Sequence, residues 1–298
     1  NSGLMPELPE VETVVRGLRP FLTGRTISRV ENRAPAASVV ISPTLTGRIL
    51  EEILPGRTVR AVSRRGKNIL IALDGALTLW VHLKMTGRFR LIPADEPVDK
   101  HDLVLVDFEP EGNDRPGSEG REGPGNDLQL RFHDYRRFGR LRLYPDDELW
   151  DQPGLAELGP EPIEMSGEEF AELCRTRRRM IKPTLLDQTF IVGIGNIYAD
   201  EALFTSRIHP MRRTNGIARR KLVELHTHLR DLLVRSIELE GTTIINFAGA
   251  EGRSGSFQAL LQIYGREGEP CLCCSQPIRR IIVGSRSSHI CPRCQRRR

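Results

Sequence analysis

The residues best suited to chemistry lie near the end of the chain: Cys271-x2-Cys274 and Cys291-x2-Cys294, two close pairs sixteen residues apart. A C-x-x-C segment turns back on itself and offers two thiolates, and a β-hairpin between the pairs would gather all four around one structural Zn2+. The stretch 275–284, read as two short strands, carries Arg279 and Arg280 and few carboxylates. A basic, metal-stapled hairpin suits phosphate, so nucleic acid is the first partner expected. Cys273 lies between ligands and is given no metal role. Cys174 is the only cysteine outside this finger, which argues against a disulfide framework and for a reducing compartment.

Upstream, Val192-Gly193-Ile194-Gly195-Asn196-Ile197-Tyr198 places two glycines before a helix start. Glycines let a backbone approach a ligand closely, and a helix N-terminus presents free N–H groups to an anion. Alone, the motif reads as a tight turn between helices; beside a basic finger it reads as a phosphate clamp, with the Asn196 amide adding a donor. Arg175 and Arg177 to Arg179 precede it, either as a solvated helix end or as contacts to a backbone. In the first half, Arg65-Gly66-Lys67 occupies a turn before a strand, His82 to Gly87 ends another strand, and Asp134 to Gly139 joins two more. Singly, Met85 and Phe138 read as core and Arg136 as a surface residue. Together, an apolar wedge, an aromatic and an arginine near loop ends are parts for displacing a nucleotide from a duplex.

The elements that must carry these residues divide the chain. Residues 9–22 have apolar groups at Val11, Val14, Val15 and Leu18 behind an acidic first turn, the pattern of an amphipathic helix. Strands are predicted over 26–32, 57–63, 68–74, 77–83, 103–109, 128–133 and 139–144, with Asp74-Gly75 as a hairpin signal. Seven strands and little helix imply a β-sandwich or barrel. Residues 110–127 are rich in Gly, Pro and acids and read as a disordered insertion. After about residue 145 the pattern turns helical: a capping box at Ser166-x-x-Glu169, a helix near 183–187 with Pro183 in its first turn, one over 196–204, and a long one over 218–237 with Leu222, Leu225, Leu229, Leu232 and Leu233 on one face. The segment 257–264 leads into the finger.

Bulk properties fit. Lys and Arg number 44 against 39 Asp and Glu, and the pI is about 9.0, a balance that favours a polyanionic partner. No apolar run reaches membrane-spanning length, and the first residues lack the pattern of a signal peptide.

With these motifs in place, Met5-Pro6-Glu7-Leu8-Pro9-Glu10-Val11-Glu12 makes the chain resemble the formamidopyrimidine-DNA glycosylase/endonuclease VIII family, and within it the enzymes that remove oxidised purines. PELPEVE, KHD, RRFG, GIGNIYADE and the four-cysteine finger recur in order, from Met5 to Cys294. The resemblance implies an α+β protein of two domains. An N-terminal β-sandwich with an N-terminal helix would span 6–150, including the insertion at 110–127. A helix–two-turn–helix domain with a lesion-covering loop at 247–257 would span 151–258, and the zinc finger 259–298. It also implies Pro6 as nucleophile, Glu7 as acid–base partner, and Lys67 and Arg286 as catalytic contacts to phosphate. His101, Arg177 and Asn196 would bind the DNA backbone, and Met85, Arg136 and Phe138 would fill the gap left by a flipped nucleotide. The implied partner is double-stranded DNA carrying oxidised bases or abasic sites, met by a monomer in the bacterial cytoplasm and nucleoid, without a membrane.

A proline nitrogen inside a peptide bond is not nucleophilic, so residues 1–5 are expected to be absent from the functional form: Met5 as the natural start that is removed, and Asn1 to Leu4 as an appended remnant or an overextended reading. Tyr135 stands where a proline is usual before the RRFG arginines, and Ser287-Ser288 and Ile290 depart from common finger-tip residues. Two other readings follow from the same residues. An endonuclease VIII-like enzyme for oxidised pyrimidines is disfavoured by the PELPEVE opening. A non-catalytic DNA-binding relative would leave Pro6, Glu7 and Lys67 together unexplained.

Overall fold

Apolar residues at Val11, Val14, Val15, Leu18 and Leu22 recur at the spacing of one helical face, and they form the buried face of α1 (Leu8–Leu22). The structure is a computed structural model, and the residues it describes are 5–45, 48–110, 128–239 and 256–297. Most of the predicted insertion (111–127), most of the lesion-covering loop (247–255) and residues 1–4 of the extension lie outside the described residues. The chain packs as two compact units. Among the described residues, 5–6 and 11–155 form the first, and 7–10, 156–239 and 256–297 the second.

The first unit runs β1 (Ile27–Asn32), β2 (Val39–Ile41), α2 (Leu50–Ile53), β3 (Val59–Arg65), β4 (Asn68–Leu73), β5 (Leu77–His82), β6 (Arg88–Pro93), β7 (Asp102–Phe108), β8 (Leu128–His133), β9 (Arg140–Pro145) and α3 (Asp146–Leu149). One sheet has the order β1-β7-β8-β6, the other β2-β9-β5-β4-β3. All neighbours are antiparallel except β2 and β9. Ile69, Ile71, Val81 and Leu143 of one sheet and Val104, Leu130 and Phe132 of the other share a core with Val11, Val15 and Leu18. This is the sandwich with an N-terminal helix that the alternating segments predict.

Two strands escaped the sequence reading. The three residues of β2 are too few to show a period, and their partner β9 lies about a hundred positions away in the chain. In β6, Arg88 and Arg90 interrupt the apolar residues, but Arg90 finds the buried Asp102 carboxylate at 3.4 Å.

The second unit contains α4 (Gly167–Arg175), α5 (Ile181–Leu186), α6 (Asn196–Thr205), α7 (Arg219–Glu238), β10 (Arg279–Val283) and β11 (Arg286–Ile290). The capping box forms as predicted: the Glu169 N–H donates to Ser166 Oγ at 3.2 Å, and the Ser166 N–H donates to Glu169 Oε2 at 2.7 Å. On α7, Leu222, Leu225, Leu229 and Leu233 are buried and Leu232 is half-buried. Helix α6 is buried on every side from Ile197 to Phe204, so its carboxylates need internal partners. Glu201 accepts the N–H groups of Gln262, Ile263 and Tyr264 at 2.8–3.1 Å, which fixes the segment entering the finger. The finger's second strand lies beyond Gly284, at 286–290, and not within 275–284. Gly284 and Ser285 both have positive φ (55° and 62°) and form a two-residue turn between the strands. Among the described residues, no helix is long and apolar enough to cross a membrane.

Candidate active site and nucleic-acid interface

The free amides at the start of α6 are already taken. Gly195 N–H donates to Glu7 Oε2 at 2.6 Å and Ile197 N–H to Glu7 Oε1 at 2.9 Å. Glu7 is 3% exposed, so the positive end of the helix dipole meets a desolvated carboxylate from the chain itself. The sequence reading of these amides as a phosphate clamp is therefore corrected: their anion is Glu7. Both glycines are required by this approach. A Cβ at Gly195 would lie 2.3 Å from Glu7 Cδ, and one at Gly193 (φ +87°) 2.6 Å from Leu8 Cδ1. The Leu8 N–H also donates to Gly193 O at 3.0 Å.

A second carboxylate fixes the main chain here. Glu10 Oε2 accepts the Glu7 N–H at 2.9 Å, and Glu10 Oε1 accepts the Tyr198 hydroxyl at 2.8 Å. Burial, followed by the Glu10 charge, holds the Tyr198 phenol well above its ordinary pKa, so it stays a donor. Pro6, half-buried, precedes Glu7 by one peptide bond.

The second strand of the finger, β11, is fixed by a buried charge that the sequence reading missed. Lys182, fully buried, donates to Asp200 Oδ1 at 2.6 Å, to Ser287 O at 2.7 Å and to Ser288 Oγ at 2.7 Å. Asp200 Oδ2 accepts the His289 N–H at 2.9 Å. The one available signal was a lysine set in the otherwise uncharged run Met180-Ile181-Lys182-Pro183. Arg286, exposed at the start of β11, extends from this anchored strand. Asn196 Nδ2 lies 3.5 Å from Ser287 Oγ, so Asn196 and the Arg286 strand are neighbours. Arg177 is exposed in the turn after α4, its N–H bonded to Cys174 O at 3.1 Å.

At the other end of the hairpin the sulfurs of Cys271, Cys274, Cys291 and Cys294 lie within 4.8 Å of one another. Neighbouring pairs are 3.4–3.9 Å apart. A tetrahedron with Zn–S arms of about 2.3 Å has edges of roughly 3.8 Å, so the four thiols fit one zinc ion. All are free of disulfides, and the exposed Cys273 is outside the group. Cys174 is buried elsewhere, and burial pushes its thiol up to about 12, which makes it inert.

In the first unit, Gly66 (φ +55°) opens a two-residue turn between β3 and β4 that presents Lys67. Lys67 is 9% exposed. His82 lies beside it and accepts the Lys84 N–H on Nδ1 at 3.0 Å, holding Lys84 at φ +56° just before Met85. Burial, then the charges of Lys84, Lys67 and Arg142, push His82 down to about 3. The unfolded chain takes up this proton near pH ~6.5, the folded chain only near 3. Stability is therefore present above about 6.5 and falls as the pH drops toward 3, by at most about 1.4 kcal/mol per pH unit. Urea unfolding between pH 7 and 5 should show this slope and His82→Gln should flatten it. Equal slopes would contradict the assignment.

Met85 is half-buried, whereas Phe138 is 45% exposed, not core as its single-residue reading held. The Arg136 guanidinium lies 4.8 Å over the Phe138 ring, so the two side chains stack at one loop tip. His101 sits beside this loop, its ring centroid 6.5 Å from that of Tyr135.

Residues 5–141 match the formamidopyrimidine-DNA glycosylase N-terminal domain, residues 158–248 the H2TH domain of the same enzymes, and residues 268–297 the zinc finger found in FPG and IleRS. The chain belongs to the formamidopyrimidine-DNA glycosylase family. The formamidopyrimidine-DNA glycosylase of Herpetosiphon aurantiacus is 43% identical, over 98% of this chain and all of that one. The wild-type Lactococcus lactis Fpg in complex with DNA containing N7-benzyl-Fapy-dG superposes with a TM-score of 0.83 at 35% identity. It covers 98% of this chain and 100% of that one. A complex of the same L. lactis enzyme with DNA containing an oxidised pyrimidine gives 0.82 at 34% identity, with coverages of 98% and 100%. Family membership thus covers both units and the finger.

Proposed function

We propose that this chain is a bifunctional DNA glycosylase and abasic-site lyase that excises oxidised purines, 8-oxoguanine and formamidopyrimidines, from duplex DNA. The observation that carries the reading is the Glu7 carboxylate held on the α6 amides, one peptide bond from Pro6. A terminal amine has a pKa near ~7.7–8.0, so an unblocked Pro6 nitrogen is partly neutral at physiological pH. It attacks the sugar C1′, and the damaged base departs with the electron pair of the glycosidic bond and a proton. Glu7 takes up the proton that the Pro6 nitrogen sheds on attack and passes it to the ring oxygen as the sugar opens, leaving an iminium at C1′. The iminium acidifies the adjacent carbon, and successive β- and δ-elimination expel the flanking phosphates.

Lys67 assists elimination at the phosphate near the lesion, and Arg286 and Asn196 grip the flanking one. His101 and Arg177 bind further along the backbone. Met85, Arg136 and Phe138 fill the vacated space, with Arg136 facing the orphaned base. Residues 6–150 act as the catalytic sandwich, 151–258 as the helix–two-turn–helix domain, and 259–298 as the finger. Cys271, Cys274, Cys291 and Cys294 hold one structural zinc, which organises the hairpin and takes no part in bond breaking. The enzyme works as a monomer on nucleoid DNA in the bacterial cytoplasm.

Borohydride trapping on oligonucleotides with 8-oxoguanine opposite cytosine tests the reading; a covalent adduct is expected, and faster trapping on an oxidised pyrimidine would contradict the purine assignment. Arg286→Ala should weaken duplex binding and lower the salt slope by about one unit. An unchanged slope would remove Arg286 from the phosphate.

A further inference from the structure

We propose that Asp134 is a positioning residue that ties three loops into one preset wedge, so that Met85, Arg136 and Phe138 enter the duplex together. The proposal rests on the wedge reading given above. Asp134 is fully buried. Its Oδ1 accepts the Thr86 hydroxyl and, at 3.2 Å, the Arg136 N–H; its Oδ2 accepts the Gly139 N–H at 2.7 Å. One carboxylate therefore joins the residue after Met85 to both ends of the loop bearing Arg136 and Phe138. Its main chain ties in the third segment, because the Asp134 N–H donates to His101 O at 2.9 Å.

These partners are a hydroxyl and backbone amides, and among the described residues no lysine or arginine pairs with the carboxylate. Asp134 is thus a three-way acceptor placed between loops, not half of a structural ion pair. A buried carboxylate with such partners is costly to desolvate, and its hydrogen bonds to the charged form are correspondingly strong.

Packing leaves the loops little slack. The Phe132 ring lies between Gly87 and Gly139, and a Cβ at either would come within 2.9 Å or 2.6 Å of it. Arg137 is held at φ +58°, a left-handed conformation that a non-glycine residue adopts only at a cost. Its N–H donates to Asp134 O at 3.2 Å, and its carbonyl accepts Ser38 Oγ–H at 3.4 Å. The conformation sends Arg136 and Phe138 outward as the stacked pair already described. Ordering a loop on binding costs free energy, and a loop ordered beforehand avoids that cost. A wedge set in advance can close on the space as the damaged nucleotide leaves it.

The test is Thr86→Val, which removes the hydroxyl and keeps the shape, with Thr86→Ser as the rescue. Single-turnover excision is measured with the lesion opposite cytosine and with the lesion opposite a baseless nucleotide, where there is no orphaned base to face. Thr86→Val is expected to slow the paired duplex about 10-fold and to leave the baseless one within about 2-fold; Thr86→Ser should restore the paired rate. Asp134→Asn should show the same pattern more strongly, and Thr86→Val remains decisive if that variant fails to fold. Wild-type rates for Thr86→Val, or an equal loss on both duplexes, would overturn the proposal. Arg136→Ala and Phe138→Ala separate the two readings. If they slow the paired duplex and Thr86→Val does not, only the role of Asp134 fails; if they do not, the wedge itself fails.

Discussion

Replacing Gly195 with alanine is expected to reduce base excision at least about 100-fold, with duplex binding changed only a few-fold. The added Cβ would lie 2.3 Å from Glu7 Cδ and 2.5 and 2.7 Å from its oxygens. Gly195 has φ −131°, extended backbone that alanine adopts without strain, so the cost falls on the Glu7 contact alone. The carboxylate must leave both amides at the start of α6, and it then stands away from the proposed Pro6 nucleophile. Because the same amides stabilise the buried charge, some thermal stability should go with it. Single-turnover excision and a melting curve measure the two effects. Gly216→Ala is a suitable control, since a Cβ there meets nothing within 4 Å. Wild-type excision by Gly195→Ala would mean that the Glu7 position on α6 is irrelevant to catalysis.

Removing the zinc should instead act on binding. The finger's buried cluster consists of Phe204, Ile263, Cys271, Ile278 and Cys291, two of them ligands themselves. A hairpin with so small a core takes its folding free energy from the metal, about 10–16 kcal/mol in isolated fingers. Cys291→Ser, or chelation of the wild type, should release zinc and expose the β10 and β11 amides to exchange. Duplex binding should weaken by at least about 10-fold as Arg286 loses its place. The melting of the sandwich should persist, because its core is built from other residues. Stoichiometric zinc in Cys291→Ser, or protected hairpin amides without metal, would refute the four-cysteine assignment.

Much of this was legible in the sequence, for physical reasons that can be named. Helix α1, the capping box at Ser166 and the leucine face of α7 are periodic or local patterns, and they form as their residues dictate. The four cysteines announce their cluster by spacing alone. What the sequence hid depends on distant partners. Strand β6 was missed because Arg90 interrupts its apolar residues, and Asp102, its counter-charge, lies on β7. The amides of Gly195 and Ile197 looked free because the carboxylate that fills them lies 188 and 190 positions upstream. Nothing local gives the partners of Lys182 or Asp134; only the folded chain shows one pinning the Arg286 strand and the other joining three loops. Phe138 looked like core, and the fold places it at an exposed loop tip.

The central claim is that the Pro6 nitrogen itself forms the bond to the sugar. Reduction of the enzyme–DNA imine with borohydride, digestion, and sequencing of the peptide that carries the sugar measure this directly. The adduct is expected on a peptide beginning at Pro6, and a chain retaining even one residue ahead of Pro6 should trap none. An adduct on a lysine, or trapping undiminished in the blocked chain, would contradict the account.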